Sequence, residues 1–172
     1  MSGPRSHSPA RLSGACPCGL SATYDDCCGR LHRGQARAAT PEQLMRSRFS
    51  AYAVGDEPYL LRTWHPTTRP ATVGLDPAVR WLSLEVLDST DGGPFGGEGI
   101  VEFRARYTRG GRLDELRERS RFVRHDNAWT YVDGIEGSSA SQKSATSSAQ
   151  RGHVQSEGSP RPERPHSDSH RG

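Results

Sequence analysis

All four cysteines of the chain fall within thirteen positions: Cys16-Pro17-Cys18 and, after eight intervening residues, Cys27-Cys28. Two short thiolate pairs that one loop can bring to opposite edges of a tetrahedron suit Zn2+, a borderline-soft ion with no directional d-electron demand. Pro17 fixes one backbone torsion and Gly19 permits a tight return, so that backbone amides can turn toward the sulfurs. Four protein ligands leave no open coordination position, and the expected role of the ion is structural. Two disulfides or a redox pair, and an iron–sulfur centre, are the alternatives. The cluster lacks the Cys-x-x-Cys spacing of thioredoxin-like redox motifs. Residues 1–15 are rich in Ser, Pro, Arg and Gly, with Leu12 the one large aliphatic, and do not read as a secretion signal. A reducing compartment, the cytoplasm, is expected.

A second group of residues could do proton chemistry. Glu118 lies between Leu116 and Phe122 on the apolar-facing side of an alternating run. An isolated carboxylate is costly to bury, so it needs a partner, with Arg46, Arg48 and His65 as candidates. Tyr52, Trp64 and Ser120 complete the group. As an active site, Glu118 or His65 would transfer the proton and Tyr52 would orient the substrate. As a structural network, Glu118 and Arg48 would satisfy each other and pin helices to a sheet. Phosphate-loop, dinucleotide, zincin and serine-elbow motifs are all absent.

Thr40-Pro41-Glu42-Gln43 starts a helix, with Thr at the cap and Pro at the first helical position. Leu44, Met45, Phe49, Tyr52 and Ala53 give it an apolar stripe, and Gly55 stops it. Asp56 caps a second helix, expected to run to about His65 before Pro66. Strands are expected over Val79 to Asp88, Gly99 to Arg109, residues 112–125 and Ala128 to Val132. The 89–97 loop, Gly110-Gly111 and Asp126-Asn127 join them. Two helices followed by antiparallel hairpins predict an α+β fold, a curved sheet with helices filling its concave face and a conical cavity at the open end. The expected divisions are a disordered lead-in (1–13), a metal knuckle and linker (14–39), the main domain (40–134) and a disordered Ser/Gly/Pro-rich tail (135–172). Tyr24 is expected as a lid over the metal. His32 is read as a solvated linker histidine, and His125, His153, His166 and His170 as solvated too.

The formal charge is +3, from 23 basic and 20 acidic side chains, and the main domain is near neutral. Four thiolates and one Zn2+ would reduce +3 to about +1. Only Arg30, Arg33 and Arg37 form a basic patch, beside the knuckle, so ribosome or nucleic-acid association is the lesser reading. No run of eighteen apolar residues occurs, and no membrane span is expected.

The blocks CPCGLSATYDDCC, LMRSRFSAY, TWHP and ERSRFVRHDNAWTYVDG occur in this order over residues 14–134. Together they resemble the YchJ-like family of functionally uncharacterised bacterial proteins, whose leading cysteine block is similar to the SEC-C zinc motif. The resemblance implies a nuclear-transport-factor-2-like (cystatin-like) main domain and zinc ligation by Cys16, Cys18, Cys27 and Cys28. Arg46, Ser47, Arg48, Trp64, His65, Glu118, Arg119, Ser120, Arg121 and Phe122 fall on its recurrent blocks, without an assigned catalytic role. Many relatives carry a second SEC-C motif after the last strand, where this chain has its cysteine-free tail. In the translocase motor that gives the motif its name, the knuckle is a docking surface. The resemblance therefore implies an adaptor that meets a protein partner through its knuckle, with the oligomeric state, a dimer included, left open. The alternative is an isomerase, dehydratase or hydrolase acting in the cone.

Overall fold

The computed structural model describes residues 14–91 and 96–135. The expectations for the lead-in, the tip of the 89–97 loop and the tail from 136 onward, with its three histidines, lie outside the described residues. The elements run in the order α1 (Cys28–His32), α2 (Pro41–Val54), α3 (Glu57–Arg62), β1 (Val79–Thr90), β2 (Glu98–Arg109), β3 (Arg112–His125) and β4 (Ala128–Gly134). The start of α2 is fixed by side chains: Thr40 Oγ1 accepts from the Gln43 N–H at 3.1 Å, and Gln43 Oε1 accepts from the Ala39 N–H at 2.7 Å. Gly55 ends it at φ 76°, a left-handed position that only glycine adopts cheaply. Asp56 caps α3 through the Tyr59 N–H at 3.0 Å. This helix stops at Arg62, short of the expected His65. The chain leaves it to pair with β4, where Thr63 O accepts from the Tyr131 N–H at 2.9 Å and the His65 N–H donates to Tyr131 O at 2.7 Å.

The four strands form an antiparallel meander in chain order. The turns at Gly110-Gly111 and Asp126-Asn127 use positive φ at both residues, which fits the twist of the flanking strands. Register shifts at Trp81/Ser83 and Val86/Asp88 on β1, and on β4 between Tyr131 and Asp133, opposite Arg121/Phe122, bend the sheet. Its outer face carries Arg–carboxylate pairs, among them Arg117–Glu102 and Arg121–Asp133. Its inner face holds the main core, where Leu44, Met45 and Phe49 of α2 pack on Leu84, Val101, Phe103, Phe122 and Trp129. The indole N–H of Trp129 donates to Ala39 O at 3.0 Å and ties the last strand to the entry of α2. No helix of the described residues is long and apolar enough to cross a membrane.

The segment expected as a linker is instead packed structure. Leu31 joins Ala51, Tyr59 and Leu60 in a second apolar cluster. His32, read from sequence as solvated, is 8 % exposed. Its Nε2 lies 2.9 Å from Ser47 O and its Nδ1 2.7 Å from Tyr24 Oη, with the Tyr59 ring 4.3 Å away. A carbonyl can only accept, so Nε2 carries the proton and Nδ1 accepts from the Tyr24 hydroxyl. Burial pulls the imidazole below its ordinary pKa, and it stays neutral. Burial, followed by the Asp56 charge, pushes Tyr24 up to about 12, which keeps its hydroxyl a donor.

Two substitutions test this packing. His32→Ala strands Ser47 O and the Tyr24 hydroxyl; each such loss costs about 1–3 kcal/mol, so urea unfolding is expected to show roughly 2–4 kcal/mol of destabilisation. A loss under about 0.5 kcal/mol would mean a solvated side chain after all. A Cβ on Gly99 would lie 2.4 Å from Pro41 Cγ and 2.7 Å from Thr90 O. Gly99→Ala is therefore expected to cost about 1–3 kcal/mol in the same measurement.

Candidate functional site

The first site is built by a short loop. An isolated bridge between Ala15 and Thr23 closes it, and the Cys16 N–H donates to Ala22 O at 3.0 Å. Gly19 turns at φ 84° to bring Cys18 back beside Cys16. Cys27 stands at the N-cap of α1 and Cys28 is its first residue, so the helix start delivers the second pair. The four Sγ atoms lie within 4.8 Å of one another, with Cys18 to Cys27 at 3.6 Å and Cys27 to Cys28 at 3.9 Å. A tetrahedral ion with about 2.3 Å metal–sulfur bonds needs edges of about 3.8 Å, so the sulfurs fit a metal as they stand. All four are free thiols.

Their charges argue for a cation as well. Hydrogen bonds from Cys18 and Cys28 hold Cys16 far below the ordinary thiol range. Burial, then the hydrogen bond with Cys18, pushes Cys27 up to about 12, and the hydrogen bond with Cys16 raises Cys28 further still. Cys16 is therefore welcome as a thiolate, while thiolates at Cys27 and Cys28 are opposed. A bound metal ion removes that opposition, because it replaces the protons with positive charge. The cluster is clamped to the main domain. The Ser50 hydroxyl is 3.7 Å from Cys16 Sγ, Arg46 Nη1 donates to Cys18 O at 3.1 Å, and Arg62 Nη2 donates to His32 O. Tyr24 packs against the cysteines, as expected for a lid.

The second site is a cavity of about 360 Å3 between α2 and the sheet. Arg48, 3 % exposed, enters it from α2, and its Nη1 donates to Leu60 O and Thr63 Oγ1, both at 2.8 Å. Its Cζ lies 5.0 Å from the Trp64 ring centre and 4.5 Å from that of Tyr131. Burial lowers its pKa, though a guanidinium keeps its charge in proteins. Glu118 enters from β3, and its Oε1 accepts from Ser120 Oγ at 2.7 Å and from the Tyr131 hydroxyl at 3.3 Å. Gly134 leaves room for this carboxylate, since a Cβ there would sit 3.0 Å from Glu118 Cδ. Tyr52 and Tyr131 are raised above the ordinary phenol pKa by burial first and remain neutral hydroxyls.

The candidates named from sequence therefore separate. Arg48, Tyr52, Trp64, Glu118 and Ser120 line the cavity. Arg48 and Glu118 share no ion pair among the described residues; Tyr131 stands between them, ring to the guanidinium and hydroxyl to the carboxylate. Arg46 turns away to Glu42 and the knuckle. His65 is outside the lining: its Nδ1 bonds Thr67 Oγ1 at 2.7 Å and its ring meets His125, which is only partly exposed, at 5.1 Å. Phe122, fully buried, belongs to the core. Arg33 of the basic patch is paired with Asp25 at 2.7 Å. Sequence reasoning missed Trp81, Tyr107 and Tyr131 in the cavity wall. The alternation of Trp129 and Tyr131 marks Tyr131 as inward, but Trp81 follows from no periodicity, because a register shift at Trp81/Ser83 separates it from Leu84 and Val86.

Residues 40–134 match the family described as YchJ, middle NTF2-like domain. A UPF0225 protein of Streptomyces coelicolor is 59% identical over 119 residues, covering 69% of this chain and 93% of the relative. One from Corynebacterium glutamicum is 47% identical over 119 residues, covering 69% and 94%. The solution structure of a SEC-C motif containing protein from Rhodopseudomonas palustris superposes with a TM-score of 0.62 at 39% identity, over 70% of this chain and 96% of that one. The crystal structure of a SEC-C motif containing protein from Psychrobacter arcticus gives 0.61 at 26% identity, over 77% and 86%. A four-cysteine knuckle that can hold a metal, seated on an NTF2-like cone and matched over 119 residues by a UPF0225 relative, makes this chain a member of the YchJ-like family.

Proposed function

We propose that the protein is a cytoplasmic zinc-binding adaptor, in which the ion holds the N-terminal module on the cone and the module meets a protein partner. The observation that carries this reading is the set of four sulfurs within 4.8 Å of one another, spaced for a tetrahedral ion. Zn2+ is favoured over other metals because four thiolates from one short loop match its coordination preference. Since the chain would supply every ligand, the ion has no position to offer a substrate, and its contribution is folding energy and shape. For zinc-finger peptides the apparent binding energy is roughly 10–16 kcal/mol. Contact with a partner is supported by the SEC-C likeness and by Leu20, which stands 47% exposed on the knuckle. Beside it, a groove of about 170 Å3 is lined by Leu20, Ala22, Cys27 and Leu31.

Elemental analysis of protein purified under reducing conditions is expected to give one zinc per chain. Chelation, or Cys27→Ser, is expected to speed hydrogen exchange through residues 14–32 and also through α2, to which Ser50, Arg46 and His32 tie the module. Faster exchange confined to the knuckle would contradict that coupling, and two intact disulfides with only trace zinc would end the metal reading. Affinity capture with the intact chain beside Cys27→Ser tests the adaptor role. A partner retained equally by both forms would count against the knuckle as its docking surface.

A further inference from the structure

The cone cavity contains polar groups that the fold itself leaves unused. Arg48 spends Nη1 on Leu60 O and Thr63 Oγ1, while its Nε and Nη2 donors carry no hydrogen bond among the described residues. Glu118 takes both of its hydrogen bonds on Oε1, and Oε2 accepts none among the described residues. Trp64, in the same wall, offers the cavity its ring; its indole N–H is buried away from it, with no partner among the described residues. The unused edges of Arg48 and Glu118 are not sealed away from solvent, so both remain reachable from the cavity that these residues line. The rest of the wall is apolar and aromatic, including Phe49, Trp81 and Tyr107. At about 360 Å3 the space is in the range of small-ligand sites.

We propose that this cavity binds a small aromatic carboxylate that carries a hydroxyl donor at its far end. The free Nε/Nη2 edge of Arg48 is the side of a guanidinium that takes a carboxylate in two parallel hydrogen bonds. One guanidinium, with one of its nitrogens already committed, suits a monoanion and not a phosphate dianion. Glu118 Oε2 accepts the ligand's hydroxyl, and the aromatic walls hold the ring. Tyr131 keeps the two charged residues apart, because its ring faces Arg48 and its hydroxyl holds Glu118. This separation leaves both available to a ligand where a direct salt bridge would have cancelled them.

The test uses the full metal-loaded chain and three probes of increasing length: 4-hydroxybenzoate, 4-hydroxyphenylacetate and 4-hydroxyphenylpropionate. The indole N–H signals of Trp64 and Trp81 in nitrogen-15 spectra report binding. At least one probe is expected to saturate a single site. Its primary amide should bind about tenfold more weakly, and its analogue without the ring hydroxyl about threefold more weakly. Arg48→Met should remove the preference for acid over amide. Because Arg48 also braces α3, Glu118→Ala is the second variant; it should bind the acids with and without hydroxyl within about twofold of each other. No saturation by about 10 mM with any of the three, or equal binding of acid and amide to the native chain, overturns the proposal.

Discussion

One helix has to satisfy two polar systems at once. At 3.6 residues per turn, Ser47, Ser50 and Ala51 of α2 lie on a face different from that of Met45, Arg48, Phe49 and Tyr52. The first set meets the knuckle and α3: Ser47 O receives His32, Ser47 Oγ lies 2.6 Å from the Tyr59 hydroxyl, and Ser50 faces Cys16. The second set meets the sheet and the cavity. A helix buried on two sides cannot show the single apolar stripe of a surface helix. Its small hydroxyls mark where another backbone comes close, and its arginine marks where a charge is needed inside.

Arg48 is the costliest member of that arrangement. A buried guanidinium without a carboxylate beside it has to be held by neutral acceptors and by ring faces, and both are present: the Leu60 carbonyl, the Thr63 hydroxyl, and the rings of Trp64 and Tyr131. These partners come from the end of α3, the segment after it, and β4. The early end of α3 follows from the same need, since Thr63 and Trp64 must leave helical geometry to reach the last strand. Lysine could not replace this residue, because a compact ammonium neither stacks flat on two rings nor presents a planar edge.

Much of this was legible in the chain itself. The cap residues Thr40 and Asp56, the alternation over Val101 to Tyr107, and the glycine and Asp-Asn turns named the elements and their order. The cysteine spacing named the four-sulfur cluster that can hold a metal. Glu118 on an apolar face named the cavity wall. The errors share a physical origin. His32 sits among arginines and glycines, a composition that reads as linker, and only the fold shows that Ser47 and Tyr24 arrive to satisfy both of its nitrogens. His65 was placed by a helix extended one turn too far. Trp81 was hidden by a bulge, which breaks the period that sequence reading relies on. Each miss depends on a contact between segments distant in the chain.

The tie between the Trp129 indole and Ala39 O joins residues ninety positions apart. A nascent chain that has reached only β3 still lacks that indole, and it lacks the Tyr131 face on which Arg48 rests. Although each hairpin can pair with the neighbour made just before it, the cone has no closed interior until its final strand leaves the ribosome. Synthesis order therefore makes this domain complete late and all together.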